Sequence, residues 1–173
     1  MPEAIVAVYA DWGIGAKGTQ PVVLKADRRH FKEVTEGAAV IVGRKTLADF
    51  PGGKPLKHRV NLVLTRQPIE IEGAAVVRSV EEALAEAAKH DRAFVIGGES
   101  VYKAMLPHMT RVYVTKIDVA PRSDAFFPNL DADPDWEVTD PGVPLEEDGV
   151  FYRFMVYEKH LPHVSRHVQQ GFS

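Results

Sequence analysis

Cysteine does not occur among the 173 residues, which excludes disulfides, thiolate metal ligands and thiol nucleophiles. Nor is there an excess of positive charge. Lys and Arg number 21 against 24 Asp and Glu, a formal net charge of −3, whereas nucleic-acid binding calls for a basic patch or stripe; no nucleic-acid partner is expected. Long hydrophobic runs are missing too. The longest are strand-sized, so no segment is expected to span a bilayer, and no membrane partner is expected. The opening Met1-Pro2-Glu3-Ala4 has neither the basic region nor the apolar stretch of a signal peptide. A soluble, cytoplasmic protein follows by elimination. Repeats and low-complexity stretches are also absent. Hydrophobic residues make up 45%, enough for one domain with a full core.

What the chain does have is one pattern written twice. A continuous apolar run meets glycine and turns at once into a helix with a polar first turn. The first copy is Ala39-Val40-Ile41-Val42-Gly43-Arg44-Lys45-Thr46; the second is Ala93-Phe94-Val95-Ile96-Gly97-Gly98-Glu99-Ser100-Val101-Tyr102. Runs of this kind fit strands covered on both faces, as in a parallel sheet. A helix that starts at such a turn aims unpaired N–H groups back at it, a ready place for an anion. Two such turns at neighbouring strand ends would hold two phosphates of one dinucleotide, and Arg44 and Lys45 favour that reading. Either copy alone is an ordinary turn of any α/β protein, since neither is a complete GxGxxG or GxxxxGK[ST] motif.

Further strands are expected at 5–9, 38–42, 60–64, 74–77, 93–96, 112–117 and 150–157, with another near 136–139. Helices fall between them at 26–34, at 80–89 behind the capping-box pair Ser79 and Glu82, and at 99–106 before Pro107. After Asp118 the helices stop. The chain therefore reads as a single α/β domain: a central, mostly parallel, twisted sheet with helices on both faces and an antiparallel C-terminal strand pair. The domain occupies residues 1–159, and residues 160–173 form a polar tail. His163 and His167 would share one face of a helix there, but no carboxylate or cysteine completes a ligand set, so no metal site is expected. Ahead of the first helix, the glycine-rich loop 11–23 suits a lid beside a strand end. Asp27 stands in that helix's first turn, where acidic residues are ordinarily favoured.

The order of these landmarks resembles the dihydrofolate reductase family over nearly the whole chain. They are Ile14-Gly15; Leu24, Asp27 and Phe31; Val42-Gly43-Arg44-Lys45-Thr46; Arg59 before Asn61-Leu62-Val63-Leu64-Thr65; Ile96-Gly97-Gly98 with Tyr102; Tyr113, Thr115 and Ile117; and Asp124 before Phe127-Pro128. Each motif is weak singly, and the ordered set is specific. The resemblance implies NADPH-dependent reduction of 7,8-dihydrofolate, with a hydride delivered to pterin C6 and a proton to N5. It implies that Asp27 accepts hydrogen bonds from the pterin's ring N–H and exocyclic amino group, and that Thr115 supports it from the facing strand. Ile5, Ala7, Phe31, Phe50 and Ile96 would line the apolar walls, and Arg59 would grip the substrate's glutamate α-carboxylate. Toward NADPH it places Ala7, Ile14 and Gly15 beside the nicotinamide. Gly43, Arg44, Lys45 and Thr46 fall on the phosphates, and Leu64, Thr65 and Arg66 near the 2′-phosphate. Ile96, Gly97, Gly98, Glu99, Ser100, Val101 and Tyr102 then lie along the ribose and diphosphate, with Gly97 and Gly98 joined by a cis peptide. Antifolates are expected as competing ligands. A monomer is expected, since no long exposed apolar stretch demands a partner.

Three residues depart from the family's usual pattern. Val22 stands where a tryptophan is common, Gln20 where an apolar lid residue is frequent, and Arg28 where an apolar residue follows the aspartate. Gln20 would bond the nicotinamide amide or water. Arg28 would either reach outward or add a second cation for the glutamate tail. His30 reads as a surface residue, because one face of its helix must meet water. Two other readings share the cofactor turns: the related reductase of riboflavin biosynthesis, against which Asp27 and Arg59 argue, and a catalytically silent NADPH-binding module, supported only by Val22 and Gln20.

Overall fold

The valine- and isoleucine-rich runs lie side by side and point the same way. The computed structural model describes residues 1–160 of the chain; the tail positions beyond, His163 and His167 among them, lie outside the described residues. Strands β1 (Glu3–Tyr9), β3 (Ala39–Gly43), β4 (Val60–Leu64), β5 (Ala74–Val77), β6 (Ala93–Gly97) and β7 (Arg111–Ile117) form a parallel array in the order β7-β1-β6-β3-β4-β5. Beyond β7 the direction reverses. Strand β11 (Val150–Lys159) runs antiparallel to β7, and its other edge carries β9 (Trp136–Asp140) and β10 (Leu145–Glu147). A separate two-stranded ribbon joins β2 (Gly13–Gly15) to β8 (Ala125–Phe126).

Alternation along each strand feeds two cores, since successive side chains face opposite sides of a sheet. Ala4, Val6 and Val8 of β1, Ala39 and Ile41 of β3, Val95 of β6 and Val112 and Val114 of β7 face one side. Helices α3 (Val80–Ala87) and α4 (Glu99–Met105) cover that side with Ala83, Ala87, Val101, Tyr102 and Met105. On the other side, Ile5, Val40, Val42, Phe94 and Ile96 meet Phe31 and Val34 of α1 (Lys25–Thr35) and Leu47 of the short α2 (Arg44–Ala48). Both faces are covered, as the unbroken apolar runs require.

A local signal explains the start of α3. Ser79 Oγ accepts the Glu82 N–H at 3.0 Å, and the Glu82 carboxylate accepts the Arg78 N–H at 3.1 Å. The reciprocal bond thus falls one residue before the position a capping box would use. Helix α1 has no side-chain cap at Leu24. Instead, Glu147 at the end of β10 accepts the N–H groups of Lys25 at 2.8 Å and Ala26 at 3.0 Å. A carboxylate distant in sequence therefore satisfies two of the donors that every helix start leaves open.

Candidate active site

Helix α1 and strand β7 meet on a pair of polar side chains. Thr115, almost fully buried, donates from Oγ1 to Asp27 Oδ1 at 2.6 Å. Asp27 itself is half-buried, as a cleft-lining carboxylate must be. Burial pushes its carboxyl above the usual range; the Thr115 bond and His30 act against that shift, and Glu147 adds to it. A carboxylate held by one donor keeps acceptor capacity on both oxygens. Ile5, Ile96, Phe31 and Phe50 belong to one apolar cluster beside it. Ala7 packs in the adjoining cluster with Leu24 and Ala26.

Arg59 closes the other end of this face. Its Nε donates to Thr35 Oγ1 at 3.2 Å, its Nη1 to the Lys57 carbonyl at 2.8 Å, and its guanidinium lies 5.9 Å from the Phe31 ring centre. Buried Asn61 braces the same turn through the Leu56 N–H and the Leu56 and Arg59 carbonyls. Five N–H donors sit on a guanidinium, so this anchorage leaves donors for a carboxylate.

The two strand–glycine–helix turns lie next to each other because β3 and β6 are neighbours. They are packed close. A Cβ on Gly98 would come within 2.8 Å of Thr46 Oγ1, and one on Gly43 within 3.0 Å of Val101 Cγ2. The Gly97–Gly98 peptide is cis. Leu64, Thr65, Arg66, Ser100 and Val101 line a cavity of about 310 Å³, together with Arg78, Ser79, Val80 and Ala104. Two arginines, three hydroxyls and an apolar floor suit a phosphorylated nucleoside. Tyr102 donates its hydroxyl to the Ile5 carbonyl at 2.7 Å and so ties α4 to β1. Glu99 turns away from the turn: its carboxylate accepts the Phe126 N–H at 2.6 Å.

The lid begins where β1 ends. Ile14 and Gly15 lie on β2, and the Gly15 carbonyl accepts the Asp124 N–H at 3.0 Å. Asp124 Oδ2 in turn accepts the Lys17 N–H at 3.0 Å. Gly15 has φ +132°, and a Cβ there would strike the Thr19 carbonyl, so only glycine suits the fold-back. Val22 is held by its backbone: the buried Tyr9 hydroxyl accepts its N–H at 3.1 Å and donates to its carbonyl at 3.0 Å. Gln20 donates from Nε2 to the Ala7 carbonyl at 3.4 Å, so its amide is engaged within the chain.

The structure corrects the reading of His30 as a surface residue. It is half-buried, and its ring stacks on Phe154 of β11 with centroids 4.2 Å apart and planes at 28°. Periodicity within α1 cannot reveal this, because the partner lies on a strand more than a hundred residues away. Arg28 stands exposed on the same helix. Arg78 and Ser79 were also outside the expected site. Only the pairing of the strands brings them in: β5 runs parallel to β4, so the residues just past Val77 reach the same sheet edge as Thr65 and Arg66. Among the described residues, no cluster of His, Asp and Glu has the makings of a metal site, and no helix is long and apolar enough to cross a membrane.

Comparison with known proteins points to one family. The family model described as dihydrofolate reductase matches residues 1–159. The dihydrofolate reductase of Bacillus subtilis (strain 168) is 35% identical, covering 90% of this chain and 92% of that protein. That of Gallus gallus is 38% identical, covering 90% and 95%. Among solved structures, dihydrofolate reductase from Enterococcus faecalis complexed with NADP(H) and RAB-propyl has a TM-score of 0.84 at 32% identity, covering 93% of this chain and 97% of that one.

Proposed function

The chain belongs to the dihydrofolate reductase family and reduces 7,8-dihydrofolate to 5,6,7,8-tetrahydrofolate with NADPH, and we propose that Asp27 is the group on which this reaction turns. The carrying observation is the 2.6 Å bond from Thr115, which presents the Asp27 carboxylate at the edge of an apolar cleft. Ionised, it accepts from two parallel donors, the ring N–H and exocyclic amino group of the pterin. Ile5, Ala7, Phe31, Phe50 and Ile96 sandwich the flat ring and exclude water, which strengthens the charged contact. Arg59, pre-set by Thr35 and Lys57, takes the α-carboxylate of the glutamate tail as a planar fork.

The cofactor fits the residues present, since Arg66, Arg78 and Ser79 share one cavity with Ser100 and Val101. Gly43, Arg44, Lys45 and Thr46 and the stretch Gly97, Gly98, Ser100 and Tyr102 hold the remaining length, with Ala7, Ile14 and Gly15 against the nicotinamide. Bound NADPH supplies the hydride for pterin C6. The chain's own task is to orient the ring, keep the lid closed and admit one proton to N5. Asp27 grips the far edge of the ring, so water passing the loop 11–23 is the better donor.

The catalytic domain is residues 1–159 and the tail 160–173. A cytoplasmic monomer that antifolates inhibit completes the proposal; among the described residues the exposed large apolar side chains, such as Val143 and Phe151, are few. The reductase of riboflavin biosynthesis and a silent NADPH-binding module are not favoured. Asp27→Asn tests the reading, with turnover followed by loss of NADPH absorbance. Charge-assisted bonds contribute about 1.5–3 kcal/mol each, so kcat/KM is expected to fall roughly a hundredfold while NADPH still binds. Undiminished turnover would remove Asp27 from its role.

A further inference from the structure

The strands that hold Asp27 also seat a second titratable group beside it. Thr115 of β7 and Phe154 of β11 are directly opposite in the sheet register. Asp27 docks on Thr115; His30, one helical turn further on, stacks on Phe154. Residues three apart on a helix are neighbours, with Cβ atoms about 5–6 Å apart. Both side chains therefore leave α1 on one face and land on adjacent side chains of the sheet. An exposed helix position chosen for solubility has no need of an aromatic seat.

We propose that His30 is a positioning residue of the substrate cleft, exchanging protons in concert with Asp27 and so keeping the carboxylate ionised as the medium turns acidic. This rests on the reading of Asp27 as the pterin-clasping group. An imidazolium favours a neighbouring carboxylate's charged form, and the carboxylate favours the imidazolium by the same free energy. Burial pushes the two in opposite directions, Asp27 up and His30 down, which brings their titrations together. Groups coupled in this way lose protons in steps that belong to the pair. Among the described residues the other groups facing them are few, and the buried Tyr102 hydroxyl of α4, whose pKa burial and the Asp27 charge both raise, stays neutral beside Asp27. Glu147 of β10 opposes ionisation of Asp27, Glu33 of α1 favours the charged imidazole, β7 contributes the Thr115 hydroxyl, and β11 contributes the uncharged Phe154 ring. As pH falls, the imidazole takes up a proton and the new cation resists protonation of Asp27. The clasp thus survives to a lower pH, in a reaction that consumes a proton.

The test pairs kinetics with a titration. His30→Phe keeps an aromatic ring for Phe154 and removes the titrating group. With NADPH saturating, the acid limb of kcat/KM for dihydrofolate is expected to move up by about 0.5–1 pH unit in this variant. A purely structural role would scale kcat/KM alike at every pH. Reciprocally, the His30 Cε1–H resonance, followed by NMR with NADP+ bound, should titrate lower in Asp27→Asn by a similar amount. The NMR comparison decides: a His30 midpoint unchanged within about 0.2 unit in Asp27→Asn overturns the proposal whatever the kinetic limb does, and it needs no folded His30 variant. A lowered His30 midpoint in an Asp27→Asn enzyme that keeps full turnover would leave the pairing standing and defeat the role assigned to Asp27.

Discussion

Arg59 illustrates how much a single side chain depends on its setting. Its Nε and Nη1 are committed to Thr35 and the Lys57 carbonyl, and its plane lies against Phe31. Burial lowers its pKa, yet a guanidinium stays charged at any pH the protein meets. Arg59→Lys would keep the charge and lose the planar fork, the stacking and the anchorage. We expect kcat/KM for dihydrofolate to fall roughly ten- to a hundredfold, mainly through KM, because binding of the tail is uniform between ground and transition states. A reduced pterin without the glutamate tail should be turned over alike by both enzymes. An equal loss on the two substrates would place Arg59 in the packing of α1 and not in the clasp. The residue type and place of Arg59 were legible in the sequence. The role of Thr35 in aiming it was not, because a threonine near a helix end is ordinary until its neighbour is known.

The helix that carries Asp27 is held at its start by a strand, not by its own sequence. Glu147 accepts the Ala26 and Lys25 N–H groups, and these bonds hold its carboxyl below the usual glutamate range. A depressed pKa means the cap is complete above the unfolded value, about 4.3, and is lost as pH falls through the lower, folded value. Glu147→Ala is expected to raise hydrogen exchange at the Lys25 and Ala26 amides roughly five- to tenfold at neutral pH. In the parent protein the same protection should fade only in acid, below the pH at which free glutamate titrates. Exchange indifferent to both changes would mean that packing of Phe31 and Val34 alone fixes the helix. At this scale, elements that depend on local composition were readable. The runs 38–42 and 93–96 marked β3 and β6 to within a residue, and Ser79 marked α3. The ribbon of β2 and β8 and the strand β10 escaped notice, because two- and three-residue strands exist only through their partners. His30 escaped for the same reason: its contact is made by the register of β11 against β7, which no helical periodicity encodes.

Across the whole molecule, a net charge of −3 hides a division of labour along one sheet. The end near α1 concentrates a carboxylate and an apolar slot, while Arg66 and Arg78 share a cavity at the edge formed by β4 and β5. That second end was half legible. Arg66 stood in a recognisable stretch, whereas Arg78 became a neighbour only through the parallel pairing of β4 with β5. Two guanidiniums in one cavity suit the 2′-phosphate that distinguishes NADPH from NADH. A ligand present at a hundred times its Kd stabilises the folded state by about 2.7 kcal/mol, which for a domain of this size raises Tm by about 5–10 °C. NADPH should produce such a shift and NADH at the same concentration little or none. Replacing both arginines, Arg66→Ala with Arg78→Ala, removes charge-assisted bonds of about 1.5–3 kcal/mol each. That lowers NADPH affinity at least a hundredfold and should abolish the NADPH shift at the same concentration, leaving the response to NADH as it was. If the doubly substituted protein kept its NADPH shift, the discrimination would have to come from Arg44 and Lys45 at the neighbouring turn, and the cavity between β4, β5 and α4 would hold only the adenosine.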